Sequence, residues 1–295
     1  MRIGVMAGTK GTEAPAAFLA DARAAAEAGL DSWWLPQVLG PDALVLLGWL
    51  GAEVQGINFG TAVVPTWLRH PVVMAQGALT VAALSQGRFT LGIGLSHQLV
   101  IAGMFGIPWQ RPVGHLREYL DVLLPLLEKR STDRVQLATE APAPPVLVAA
   151  LGPKMLELAG SRTDGTITWM VGPRTLAAHT VPTLRRAAEA AGRPEPQVVA
   201  GFPVCVTDDA AAARERAART FALYGQLPSY RAMLEREGVA GPEDIAIVGD
   251  EAAVSDGLAA AVAAGATKII VAAFGRPGDK ERTRALLSRL ATDQP

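Results

Sequence analysis

The sequence contains one cysteine, Cys205, in 295 residues. No disulfide framework can form within one chain, which suits a reducing compartment and predicts a cytoplasmic protein. Cys205 sits in the apolar run VVAGFPVCV and reads as a small buried hydrophobe rather than a nucleophile. Aromatics are scarce at 5% while half the chain is apolar, so Ala, Val, Leu and Ile must build the core. Charge of one sign is also lacking, with 27 basic residues against 28 acidic ones, interspersed. That balance argues against a nucleic-acid partner, which favours a basic face. No run reaches the ~18 apolar residues of a membrane span. Met1 leads directly into a strand-like segment, which predicts no signal peptide. Signatures of the HExxH, CxxC, EF-hand, GxSxG and P-loop types are missing, and His70, His97, His115 and His179 lack metal-ligand spacing, so no metal is expected.

What is present is a repeating unit. Strand-like runs at Arg2–Ala7, Asp31–Leu35, Asn58–Val64, Phe89–Ile93, Val146–Ala150, Gly165–Trp169, Val198–Val206 and Lys268–Ala273 alternate with helical stretches. Many of the helices begin at a proline (Pro15, Pro41, Pro71, Pro112, Pro153, Pro173), whose missing N–H would be unpaired there anyway. Several end at a glycine (Gly29, Gly160, Gly192, Gly265). The strands are continuous apolar runs, as in a parallel sheet buried on both faces. Eight such units predict an α/β fold, a single (β/α)8 TIM barrel spanning residues 1–295 as one domain, with a doubly wound sheet as runner-up. Ser131–Pro145 reads as a short insertion after the fourth helix. Residues 210–264, between the last two strands, read as helical.

In a barrel the site lies among the loops that follow the strands. After strand two, Trp33 and Trp34 favour the core, while Gln37 is equally a ligand reader or a structural residue. After strand three, Arg69 is an anion attractor or a solvated arginine. The loop after strand four is extended, glycine-rich and aromatic from Gly94 to His115, and reads as a lid or as an insertion packed on the rim. The fifth loop sets Gly152 and Pro153 at a helix start whose free N–H groups can hold a phosphate, with Lys154 in the first turn. Without a metal or nucleophile motif, such an enzyme draws its reactivity from a bound organic cofactor.

The segments RIGVMAG, GLDSWWLPQ, INFGTAVVPTWLRHP, SQGRFTLGIGLSHQ and PPVLVAALGPKMLELAG resemble the luciferase-like monooxygenase family, and most of all its branch that uses the deazaflavin coenzyme F420. The resemblance implies a ring system across the C-terminal mouth and a hydride passed at C5 to or from a small organic substrate. It implies a non-prolyl cis peptide at Ala62–Val63 behind the ring. Gln37, Gly94, Leu95, Ser96 and His97 would lie near the cofactor, and Gly152, Pro153, Lys154 and Met155 would contact its polar portion. The F420-dependent glucose-6-phosphate dehydrogenases carry Ser-Asp-His where this chain has Leu35-Pro36-Gln37, and a glutamate where it has His97. That departure points away from sugar phosphates. It leaves His97 as the candidate proton donor, or as a neutral hydrogen-bonding partner of the cofactor. Trp34, Trp67, Met104 and Trp109 would form an apolar mouth suited to a hydrophobic or conjugated substrate. FMN is the alternative cofactor, for a monooxygenase of the same family, and a non-catalytic flavin-binding barrel is the alternative from another class. A homodimer is implied by the family, with no membrane or nucleic-acid partner.

Overall fold

The computed structural model describes residues 1–8 and 14–292. Its strands, all parallel in their pairings, are β1 (Ile3–Met6), β2 (Ser32–Leu35), β3 (Asn58–Thr61), β4 (Val64–Pro65), β5 (Phe89–Gly94), β6 (Val146–Ala149), β7 (Gly165–Trp169), β8 (Gln197–Val206), β9 (Ile247–Gly249) and β10 (Lys268–Ala273). Eight of them close a ring, because β10 pairs with both β8 and β1. The fold is a TIM barrel. The helices outside it are α1 (Pro15–Glu27), α2 (Ala43–Glu53), α3 (Pro71–Leu84), α4 (Pro112–Glu128), α5 (Pro153–Arg162), α6 (Pro173–Thr175), α7 (Val181–Ala190), α8 (Ala210–Thr220), α9 (Pro228–Glu237), α10 (Glu251–Ala263) and α11 (Pro277–Thr292).

The barrel's interior is filled by Trp34, Leu147, Ile167, Val199 and Ile270. One indole occupies the centre because the flanking strands β1 and β3 carry glycine beside it. A Cβ on Gly60 would lie 2.3 Å from the Trp34 ring, and one on Gly4 would lie 3.1 Å from its Nε1. Trp33, one residue earlier, faces the other way and packs edge-on to Phe18 and Phe59. Under Trp34, at the strands' N-terminal end, Lys268 Nζ sits 2.6 Å from Asp31 Oδ2, and Arg2 Nε donates to Asp31 Oδ1 at 2.9 Å.

Several expectations need correction. The third strand does not run through to Val64. Gly60 pairs with Thr90, but Val64 pairs with Ile93, so β3 and β4 together hold one residue more than β5 opposite them. This is a β-bulge, and the peptide bond Ala62–Val63 within it is cis. Residues 210–264 include a strand, β9, on the C-terminal end of β8. The second helix starts two residues after Pro41, because the Asp42 carboxylate caps it through the N–H groups of Leu44 and Val45 at 3.0 and 3.2 Å. Gly160 does not end a helix. It lies inside α5, where a Cβ would come within 2.3 Å of the Leu184 carbonyl oxygen of α7. The expected helix from Pro173 to Ala191 is interrupted by a π-helical turn at Leu176–Thr180.

Candidate active site at the barrel mouth

The C-terminal mouth has a floor of small and apolar side chains. Met6, Ala62, Val63 and Ala149 are half-buried there, against the interior cluster below. Gly94 ends β5 at the same level, and a Cβ on it would lie 2.7 Å from Val63 Cγ2 and 3.1 Å from Ala149 Cβ. The bulge presents Ala62 and Val63 together, and it is braced on every side. Thr61 Oγ1 donates to the Gly92 carbonyl at 2.7 Å and accepts from the Gly92 N–H at 2.8 Å. Ala62 N–H donates to Leu35 O at 2.9 Å, Gln37 N–H to Val63 O at 3.4 Å and Thr66 N–H to Gly94 O at 2.9 Å. A flat group can lie on this floor without meeting a projecting side chain.

Leu95, Ser96 and His97 leave the floor on one side. Ser96 has φ of +61°, a left-handed backbone uncommon for residues other than glycine. It turns the chain so that the His97 ring meets Tyr230 edge-on at 5.8 Å. Burial holds the His97 pKa below its ordinary value. The imidazole is therefore neutral at pH 7 and offers one N–H donor and one acceptor nitrogen. Tyr230 in turn packs on Tyr224 at 4.9 Å, and Tyr224 on Trp169 at 6.1 Å. Burial raises the Tyr230 and Tyr224 hydroxyl pKa values, so both phenols stay protonated. These three aromatics escaped the sequence reading. Trp169 ends a strand and was legible as a mouth residue on that ground alone. Tyr224 and Tyr230 reach the mouth from a helical excursion about 130 residues after His97, and nothing local in the sequence marks them.

A second wall, rising from the neighbouring strand end after β4, is a stack. Trp67 lies parallel on His115 at 3.6 Å and tilted against Trp109 at 5.5 Å. His115 shares a hydrogen bond of 3.1 Å with Thr66 Oγ1, and burial lowers its pKa despite nearby Glu118. His115, at the end of the extended loop, is the piece that fixes Trp67. Trp67 and Trp109 are thus brought together, but Met104 and Trp34 do not join them. Met104 ends a π-helical turn at Leu99–Met104 and is 58% exposed. Trp34 is 1% exposed inside the barrel, so it offers a substrate no surface.

Gln37 and Arg69 are committed to the protein. Gln37 Oε1 accepts from the Ala43 N–H at 3.2 Å, at the start of α2. Arg69 forms an ion pair with Asp42 and its carbonyl accepts from the Tyr119 hydroxyl at 2.8 Å. Neither is a free reader of an anion, although the Gln37 amide nitrogen keeps its donors. Across the floor, Gly152 precedes α5 with extended backbone and no side-chain cap. The Lys154 N–H, in the first turn after Pro153, is one of the donors a helix start leaves open. Open space surrounds Gly152, where a Cβ would meet nothing within 4 Å. His179 Nε2 sits 2.9 Å from the Leu151 carbonyl oxygen and steadies this loop. Pro153, Lys154 and Met155 follow on that same turn. A flat floor, a neutral imidazole at its edge and an open helix start beyond it fit a planar cofactor with an anionic arm.

The sequence matches the luciferase-like monooxygenase family over residues 1–268. The chain belongs to that family. Among luciferase-like relatives, the 5,10-methylenetetrahydromethanopterin reductase of Methanolobus tindarius is 28% identical over 74% of this chain and 70% of its own. An F420-dependent glucose-6-phosphate dehydrogenase of Kineococcus radiotolerans is 33% identical, over 59% of this chain and 58% of its own. The coenzyme F420-dependent tetrahydromethanopterin reductase of Methanopyrus kandleri superposes with a TM-score of 0.80 at 20% identity, covering 98% of this chain and 97% of that one. That last likeness is one of fold. Among the described residues, this luciferase-like barrel has no helix long and apolar enough to cross a membrane, and no cluster of His, Cys, Asp or Glu able to hold a metal ion.

Proposed function

We propose that this chain is a coenzyme F420-dependent oxidoreductase that moves a hydride between the deazaflavin and a small apolar or conjugated substrate. The observation that carries the reading is the flat floor of Met6, Ala62, Val63, Gly94 and Ala149, backed by the braced bulge. The F420 dependence of a relative 33% identical supports the choice of ring system. When bound, the deazaflavin supplies the two-electron chemistry. Ala62, Val63 and Gly94 support one face of the ring and leave the other to substrate. Leu95 and Ser96 border its edge. The open helix start at Gly152–Met155 holds the polar portion. His97, neutral and half-buried, holds the proton that accompanies the hydride, taking it or giving it back at an imidazole nitrogen. Trp67 and Trp109 close the substrate side. Exposed apolar residues on the mouth's loops, Val38, Leu39, Leu68 and Leu99, favour an apolar substrate.

Titration of the purified protein with F420 and with FMN, followed by fluorescence, tests the cofactor. Saturation by F420 and not by FMN is expected. Bleaching of reduced F420 with a panel of enones and imines tests the reaction. Binding without turnover would favour a non-catalytic barrel, and oxygen uptake with reduced FMN a monooxygenase. We also read residues 1–295 as one cytoplasmic domain that pairs as a homodimer. Val45 and Trp49 on α2 with Val73 and Leu84 on α3 are exposed apolar residues that support such pairing, and light scattering measures it.

A further inference from the structure

We propose that Glu237 is a positioning residue for His97: its carboxylate docks α9 on the segment that follows β7, and α9 in turn lays Tyr230 against the imidazole. The proposal rests on the proton role of His97 read above. One stripe of α9 makes these contacts. Tyr230, Met233, Leu234 and Glu237 recur at the spacing of a single helix face. Met233 and Leu234 are buried, and the helix is exposed between them and beyond. Tyr230, at one end of the stripe, meets His97 edge-on at 5.8 Å and Tyr224 at 4.9 Å. Glu237, about two turns further on, accepts from the Arg174 and Thr175 N–H groups at 3.1 and 2.7 Å, one on each carboxylate oxygen. The Arg174 guanidinium and the Thr175 hydroxyl donate in return to the Glu237 and Met233 carbonyl oxygens, both at 3.4 Å.

The placement of this glutamate is costly for α9 and useful elsewhere. A carboxylate in the last turn opposes the helix's own dipole. It serves α6 instead, whose start has no cap from its own Gly172. Gly172 makes room for it, since a Cβ there would lie 2.2 Å from Glu237 Cδ. The same stretch of chain holds the other end of the excursion. Trp169, the last residue of β7, packs on Tyr224 at 6.1 Å, and α6 begins four residues later. With Tyr224 and Glu237 both fixed to it, the Tyr230 ring between them is held on His97. The consequence for His97 has one sign. Burial is what lowers its pKa, and among the described residues no charged side chain contributes. The phenols on that wall, Tyr230 and Tyr224, stay protonated and add no charge. Loosening α9 therefore lets water reach the imidazole and moves its pKa up, toward 6.5.

The test titrates His97 itself, by NMR of the histidine ring protons in the full chain without cofactor. His97→Gln identifies its signal among the four histidines. The variants are Glu237→Ala, Glu237→Gln, Tyr230→Ala and the double variant Glu237→Ala with Tyr230→Ala. Both alanine variants are expected to raise the His97 pKa toward 6.5. The double variant should match Tyr230→Ala alone, because Glu237 acts through Tyr230. Glu237→Gln keeps one accepting oxygen and should fall between Glu237→Ala and the wild type. If Glu237→Ala does not fold by circular dichroism, Glu237→Gln carries the comparison. A merely structural glutamate would lower the urea midpoint and leave the His97 pKa of the folded chain where it was. That result would overturn the proposal, as would shifts that add in the double variant or a pKa unmoved by Tyr230→Ala. The rate–pH profile with F420 then separates the two readings. Its acid-side break should follow the His97 pKa from variant to variant. A break that stays in place while the pKa moves would overturn the proton role of His97 and leave Glu237 seating a ring that does no chemistry.

Discussion

Gly94 decides whether the mouth is flat. It borders Val63 and Ala149 so closely that a single added methyl would press on both, at 2.7 and 3.1 Å. Gly94→Ala must push Val63 upward or tilt the bulge, and either change lifts an atom into the plane where a ring would rest. We expect the dissociation constant for F420 to rise about tenfold, roughly 1.4 kcal/mol, with little change in melting temperature. Unchanged affinity by titration would remove Gly94 from the cofactor floor. His97 is argued from its environment. Burial lowers its pKa from the ordinary 6.5, so the break it imposes on a rate–pH profile falls on the acid side of that value. His97→Gln should lower kcat about 100-fold or more and erase that break, while F420 affinity stays near the wild-type value. A profile unchanged in shape by the substitution would show that the ring moves no proton. The glycine-rich strand end and its Ser96-His97 loop were legible because they are contiguous. Tyr230, which His97 touches, was not, because its approach depends on how a distant helix returns over the mouth.

At the level of elements, the loop after β2 and the start of α2 form one unit. Asp42 caps α2 with one oxygen and pairs with Arg69 through the other, and Gln37 satisfies a further N–H of the same helix. This clamp ties the loop that carries the Gln37–Val63 backbone bond to the segment that follows the bulge. Asp42→Ala removes the cap and strands a guanidinium that is 17% exposed. A loss of about 1–2 kcal/mol is expected from the cap, read as a lower midpoint in urea. Asp42→Asn keeps the capping oxygen, so it should recover most of that part. If both variants match the wild type, α2 is held by packing alone. Proline and glycine punctuation made most helices legible, and it misled at Pro41 and Gly160. At Pro41 a capping aspartate sets the start instead, and at Gly160 the need for close contact between α5 and α7 chose the residue. The bulge between β3 and β4 could not be read from hydrophobicity, since Ala62 and Val63 suit an unbroken strand. Only the family resemblance marked it.

For the whole molecule, the eightfold alternation of strand and helix sufficed to name the barrel, because burial on both faces leaves a parallel strand no polar side. The closure of the ring was less visible, since it depends on which residues meet at the seam of β10, β1 and β2. There Lys268 reaches into the barrel bottom, 6% exposed, under the Trp34 ring at 5.5 Å and against Asp31. Burial by itself would raise the Asp31 pKa, but the hydrogen bond and charge of Lys268, with Arg2 and Ser32, lower it below the ordinary 3.8. Burial lowers the Lys268 pKa in spite of Asp31. The sign of the acid response follows. As pH falls, the unfolded chain protonates Asp31 first, while the folded chain still holds the carboxylate. The stability this residue supplies is complete above its unfolded pKa and disappears as pH drops through the folded one. Asp31→Asn removes that dependence and leaves Lys268 buried without its counter-ion. At pH 7 the variant should lose about 3–5 kcal/mol, the usual cost of breaking a buried pair from one side. Below about pH 4 its deficit against the wild type should shrink, because the wild type is then losing the same interaction. Urea denaturation across this range measures both curves, and a deficit that stays constant down to pH 2 would mean that Asp31 does not hold its charge against Lys268 at the barrel's seam.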